Sequence, residues 1–286
     1  MRLVIFTLSL LIAIAAAPAV AQTEAAQTEP PQSSDTGELT RLERLAEDAF
    51  VEDDLAVAAA LYRQLAQRHS QSNERTRNLV IVAYLELQQG RKAEAIETVR
   101  DALIENPDYR FESESYDDVM REVFYEGQKA AIAERQQLAD QAVRLGNEQM
   151  RQGDQAAAGR HFETALSYRP DHVQALYNLA LTHLNQRREE EAEAGFQKLL
   201  ALGDAANDGL RALTMINLGY LYQKRGLDQE AIDVLEQAVA IDPSSTQGWS
   251  NLGAARRRAG DQSGAADAFR RAYELSPQNS EALGNL

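Results

Sequence analysis

The chain has 286 residues, a formal net charge of −15 and no cysteine, so disulfides, thiolate catalysis, Cys-ligated zinc and c-type haem attachment are excluded. The acidic balance argues against a general nucleic-acid binder, which needs a basic face. Hydrophobic residues make up 44% but aromatics only 6%, an alanine- and leucine-rich mixture that suits closely packed helices and lacks the alternating Val/Ile/Thr runs of strands, so the expected fold class is all-α.

The first element reads as an address. Arg2 precedes a continuous apolar run, Leu3 to Ala17, broken by Pro18 and followed by the small-residue pattern Ala19-Val20-Ala21. Residues 1–21 are expected to be a secretory signal peptide, with cleavage after Ala21 and a periplasmic or secreted product starting at Gln22. The run is short for a membrane span, which needs about 20 apolar residues; an uncleaved anchor is the alternative. A lipoprotein signal would require a cysteine, and no later stretch is apolar enough to span a bilayer. Residues 22–38, rich in Gln, Thr, Glu, Pro and Ser, bury too little apolar surface to offset ordering and are expected to form a flexible linker.

Beyond the linker the chain repeats itself with a period of about 34 residues. Asn217-Leu218-Gly219 returns as Asn251-Leu252-Gly253, Gly226 as Gly260, Ala231 as Ala265, Ala238 as Ala272, and Asp242-Pro243 as Ser276-Pro277. In chain order, an N-terminal pair covers 39–109. Its first unit is loose (Leu42, Leu45, Ala46, Ala58, Tyr62). Its second, from Thr76, is clearer (Val82, Ala83, Gly90, Ala95, Val99, Ala102, Pro107). Residues 110–138 match no unit. From about Tyr116 they show helical spacing through Val119, Val123, Phe124, Ala130 and Ala133, as expected of a connecting helix running into the next unit. A C-terminal array then covers 139–286. It comprises 139–172 (Leu145, Gly146, Gly153, Ala158, Phe162, Ala165, Pro170), the weaker 173–211 (Leu176, Leu179, Ala180, Ala192, Phe196, with Arg187 at its turn), 212–245, 246–279 and a partial unit 280–286. Arrays of this kind normally end in a polar capping helix, so Leu286 is expected to mark either a truncation or a face that a partner covers.

These residues resemble the tetratricopeptide repeat. From Thr246 the pattern reads Trp249, Leu252, Gly253, Gly260, Ala265, Phe269, Ala272 and Pro277. From Ala212 it reads Met215, Leu218, Gly219, Gly226, Ala231, Leu235, Ala238 and Pro243. The resemblance implies a right-handed superhelical array of helix–turn–helix repeats, with small residues where the two helices of a unit cross. It also implies an inner groove lined by the second, fifth, sixth, ninth, twelfth and thirteenth residues of each unit. The sixth places hold Asn178, Asn217, Asn251 and Asn285, an amide ladder able to grip the backbone of an extended peptide; asparagine is also common there in the repeat for structural reasons, and both readings stand. Tyr177 and Tyr220 offer apolar contact. Arg144, Arg151, Lys224, Arg257 and Arg258 give a basic lining. A partial likeness to the carboxylate clamps of the family suggests a protein or peptide ligand with acidic segments.

Catalytic motifs are absent: the chain has no H-E-x-x-H, no G-x-S-x-G and no phosphate loop. His69, His161, His172 and His183 show no metal-ligand spacing, because Pro170 interrupts the helix that would align them. No cofactor, metal or enzymatic activity is expected. The expected function is an exported protein-interaction scaffold serving envelope complex assembly. The alternatives are a chaperone-like holder of exported chains and an accessory subunit of a polysaccharide-export or cell-wall machine. Composition does not indicate an oligomeric state.

Overall fold

A computed structural model describes residues 33–277, apart from Ser113 and Ser115. The expected signal peptide, most of the expected linker, Asn285 and the rest of the expected partial seventh unit lie outside the described residues. Within them the chain is all-α: twelve α-helices and one short 3-10 turn, with no strand. None of these helices is long and apolar enough to cross a membrane.

The chain divides into two compact units, 1–135 and 136–286. The first contains α1 (Ser33–Val51), α2 (Leu55–Arg68), α3 (Ser72–Gln88), α4 (Lys92–Glu105) and the beginning of α5 (Asp118–Gln152). Helix α1 starts ahead of the expected linker end at residue 38. The segment that matches no repeat is more than a joint. Met120, Val123, Phe124 and Ala131 of α5 share a buried cluster with Val80, Ala83, Tyr84, Ala95, Val99 and Leu103. Helix α5 also approaches α4 closely: a Cβ on Gly127 would meet the Val99 side chain at 2.6 Å. Residues 118–135 thus cover the apolar side of α3 and α4 that a further repeat would cover.

The second unit holds the remainder of α5, then α6 (Gln155–Tyr168), α7 (Val173–Asn185), α8 (Glu189–Ala201), the 3-10 turn Gly203–Ala205, α9 (Asp208–Lys224), α10 (Asp228–Ile241), α11 (Thr246–Arg258) and α12 (Gln262–Leu275). The sequence explains the punctuation. Gly153, Gly226 and Gly260 take φ of 85°, 75° and 89° between paired helices, a left-handed conformation open to glycine. Arg187 occupies the matching turn at φ 62°, a conformation that β-carbon crowding disfavours. Asp154, His172, Asn207, Ser245 and Asp261 cap the helices that follow them through their side chains. Pro170, Pro243 and Pro277 lie just beyond the ends of α6, α10 and α12.

Packing repeats with the same period. Gly146, Gly219 and Gly253 each face one large buried side chain on the second helix of their own unit, Phe162, Leu235 and Phe269 respectively. In the unit from Val173 the roles shift: Ala180 lies on the first helix, and the close approach is made by Gly195 of α8, whose added Cβ would lie 2.9 Å from that of Ala180. Trp249 is half-buried against the cluster around Met215, Ile232 and Leu235, and its indole N–H donates to the Pro243 carbonyl at 3.0 Å.

Candidate functional site

The first helices of the C-terminal repeats are the end of α5, then α7, α9 and α11, and ten of the eleven expected groove residues lie on them; Asn285 is not described. The three described amide positions do not behave alike. Asn178 is 7% exposed and held within the fold. Its Nδ2 donates to Asn147 Oδ1 at 2.7 Å, and its Oδ1 accepts from Gln174 Nε2 at 2.9 Å. It bridges α5 and α7, and a ligand would have to break that bridge to reach it. Asn217 is half-buried; its Nδ2 donates to the Tyr177 hydroxyl at 3.2 Å, while its Oδ1 takes no hydrogen bond from a described residue. Asn251 is half-buried, and its side-chain amide bonds to no described residue; only its backbone carbonyl is engaged, by Gln223 Nε2 at 2.9 Å.

The two tyrosines also differ. Tyr177 is half-buried with its ring 6.0 Å from that of Phe196. Burial raises its hydroxyl pKa, and the Asn217 hydrogen bond offsets this in part. Tyr220 is 45% exposed, with the Lys224 ammonium 5.7 Å from its ring centre. Leu213, one further large apolar residue on α9, is also 45% exposed. It is the second residue of its unit, and the repeat phase alone places it on the same face as Tyr220.

The basic lining is largely paired. Lys224 forms an ion pair with Glu189 of the preceding unit, a hydrogen bond that raises the ammonium pKa. Arg258 places Nε 3.1 Å from Asp228 of its preceding unit, an ion pair without hydrogen-bond alignment, and donates from another nitrogen to the Gln223 carbonyl at 2.5 Å. The same arrangement recurs one repeat apart: a cation late in the first helix meets an acid at the start of the previous unit's second helix. Arg151 pairs with Glu148 one turn earlier at 2.5 Å. The Arg257 guanidinium lies 5.4 Å from the Phe269 ring centre. Arg144 is exposed and forms no ion pair with a described residue. The sequence alone shows the cations of this face but not their acids, because the pairing crosses from one unit to the next.

His172 has a structural task. Its Nδ1 accepts from the Ala175 amide at 3.3 Å, which leaves the proton on Nε2 to donate to Asp140 at 3.0 Å. Burial lowers the pKa of His183. No group of three or more metal-ligating side chains occurs among the described residues.

Tetratricopeptide-repeat profiles match residues 43–110, 171–244 and 216–280, which together span more than half of the chain. The chain belongs to the tetratricopeptide repeat family. A TPR repeat-containing protein of Pseudomonas aeruginosa is 37% identical over 75 residues, 26% of this chain and 67% of that protein. Among solved structures, MamA is 17% identical with a TM-score of 0.45, covering 70% of this chain and 96% of its own. YrrB, described as a TPR protein with an unusual peptide-binding site, is 14% identical with a TM-score of 0.43, covering 79% and 98%. The Cut9–Hcn1 hetero-tetramer matches at 15% identity and a TM-score of 0.49 over 88% of this chain and 46% of that one. Tetratricopeptide repeats form protein-interaction scaffolds, which present their stacked helices as extended binding surfaces.

Proposed function

We propose that the chain acts by binding rather than by catalysis, and that its ligand surface is the first-helix face of the C-terminal repeats, centred on α9 and α11. The observation that carries this reading is the pair Asn217 and Asn251. They occupy one place in successive repeats, and both keep amide atoms available while being half-buried. Such atoms gain more from a hydrogen bond than fully solvated ones, and the backbone of an extended peptide supplies both donors and acceptors. A ligand carboxylate must share Lys224, Arg258 and Arg151 with Glu189, Asp228 and Glu148, so acidity contributes secondarily and its contribution falls with salt.

The test is titration of a partner captured from envelope extract. Asn217→Ala with Asn251→Ala weakens binding about tenfold or more, from roughly 1 kcal/mol per lost hydrogen bond, with helicity unchanged. Asn178→Ala lowers stability instead, because it breaks the α5–α7 bridge. Unchanged affinity in the double variant would remove this face as the ligand site. Binding of many unrelated unfolded chains at Leu213 and Tyr220 would identify a holder of exported proteins; one tight partner identifies an assembly scaffold.

The proposal includes export to the periplasm or beyond, supported by Arg2, the apolar run Leu3–Ala17 and Ala19-Val20-Ala21. N-terminal sequencing of the native protein is expected to read from Gln22. A retained Met1 would indicate an anchor.

A further inference from the structure

The two units treat one pair of repeat positions differently. In the unit from Thr76, the second and ninth residues are Arg77 and Tyr84; in the unit from Ala212 they are Leu213 and Tyr220. In the N-terminal unit the chain covers the ninth position itself. Tyr84 is 9% exposed, its ring edge-on to Tyr116 at 5.9 Å. Tyr116 stacks on Phe111 at 4.9 Å, and Phe111 stacks on Phe124. Burial pushes the Tyr109 hydroxyl up to about 12 and raises that of Tyr116, and the positive charge of Arg77 opposes the rise at both. Between the aromatics, Glu112 and Glu114 point to solvent. In the C-terminal unit no described residue plays this part: Tyr220 and Leu213 are each 45% exposed.

The geometry points to a ligand for the α9 face that carries the same residue types as Tyr109, Phe111, Glu112, Glu114 and Tyr116: an acidic–aromatic peptide segment of a partner protein, with aromatic side chains on Leu213 and Tyr220. This deepens the proposed function and rests on it. Leu213 and Tyr220 are seven residues apart on one helix, about 10 Å along its axis, a span that two aromatic side chains two extended residues apart, about 7 Å, reach by splaying. Asn217 lies between them in sequence, and its available Oδ1 offers one acceptor for a peptide N–H. Leucine in place of Arg77 makes the second position a seat for an apolar side chain. Charge is complementary at the other end, where Lys224 stands over the Tyr220 ring and presents three N–H donors, of which Glu189 takes one. A ligand carboxylate next to the aromatic residue meets that ammonium.

The probe is a labelled synthetic peptide, Tyr-Arg-Phe-Glu-Ser-Glu-Ser-Tyr, titrated against the full chain by fluorescence anisotropy. Saturable binding is expected. Tyr220→Ala and Leu213→Asp should each weaken it about tenfold or more, while Tyr220→Phe retains it and circular dichroism stays unchanged for all three. A peptide with serine at its three aromatic positions should lose binding. A peptide with glutamine for glutamate should bind more weakly at low salt only. No binding by the parent peptide, or binding indifferent to both α9 variants, overturns the inference. If that happens while the Asn217/Asn251 double variant still loses its captured partner, the binding surface stands and only this ligand class is wrong. If the double variant also keeps full affinity, both readings fall.

Discussion

Gly219→Ala is expected to lower the stability of the C-terminal unit by about 1–3 kcal/mol, and Gly219→Leu by more. An added Cβ would lie 2.4 Å from Cγ of Leu235, a side chain with no solvent exposure, so α9 and α10 must separate or Leu235 must leave its rotamer. The clash overcomes the gain of about 1 kcal/mol that alanine brings to a helix interior. Gly253→Ala meets Phe269 at 2.7 Å and should behave alike. Gly159 is the control. It lies inside α6, but its added Cβ would meet Thr182 at an ordinary 3.6 Å, so Gly159→Ala should stabilise by about 0.5–1 kcal/mol. Urea unfolding followed by the single tryptophan, Trp249, reports on this unit. Equal stabilities for the 219 and 159 variants would show that glycine at the helix crossing is not a packing requirement.

That glycine was legible from the sequence because it recurs with the period. The same holds for the helix-ending glycines, the prolines beyond α6, α10 and α12, and the all-α class, since each is fixed by local chemistry repeated in phase. The part played by residues 110–138 was not legible. Its helical spacing was visible, but its packing on α3 and α4 depends on Gly127 and the aromatic stretch from Tyr109 to Phe124, which no repeat predicts. For the candidate site, the repeat phase placed its residues on the first helices but did not show how their side chains are engaged. Asn178, Asn217 and Asn251 are identical in repeat position, yet Asn147 and Gln174 engage the first, Tyr177 half-engages the second, and the third keeps its amide. Asn147 and Tyr177 reach across from other helices and Gln174 from one turn earlier on the same helix, and a repeat phase encodes none of them. Leu213 shares the repeat phase, but a leucine in an alanine- and leucine-rich helix carries no distinguishing signal until its exposure is known.

Arg63→Ala should destabilise the N-terminal unit by about 3 kcal/mol, because it strips the main partner from a buried carboxylate. Glu86 of α3 is 2% exposed. It is held by an ion pair with Arg63 of α2 and by the Thr98 hydroxyl of α4 at 2.7 Å, with Arg91 further off at 4.0 Å, so one side chain ties three helices. The lower end of the range for a broken buried pair applies, because Arg63 is 41% exposed and Arg91 remains to compensate in part. Since the loss comes from an uncompensated charge rather than from a missing contact, removing the charge as well should restore most of it. The variant Arg63→Met, Glu86→Leu, Thr98→Val keeps the volume, leaves no polar atom orphaned, and is expected within about 1 kcal/mol of the parent. Hydrogen exchange of the α2–α4 amides reads the N-terminal unit directly. A loss below about 1 kcal/mol for Arg63→Ala would place the pair with ordinary surface ion pairs. A triple variant as unstable as Arg63→Ala would mean that packing of the arginine stem, and not the charge on Glu86, holds α2 to α3.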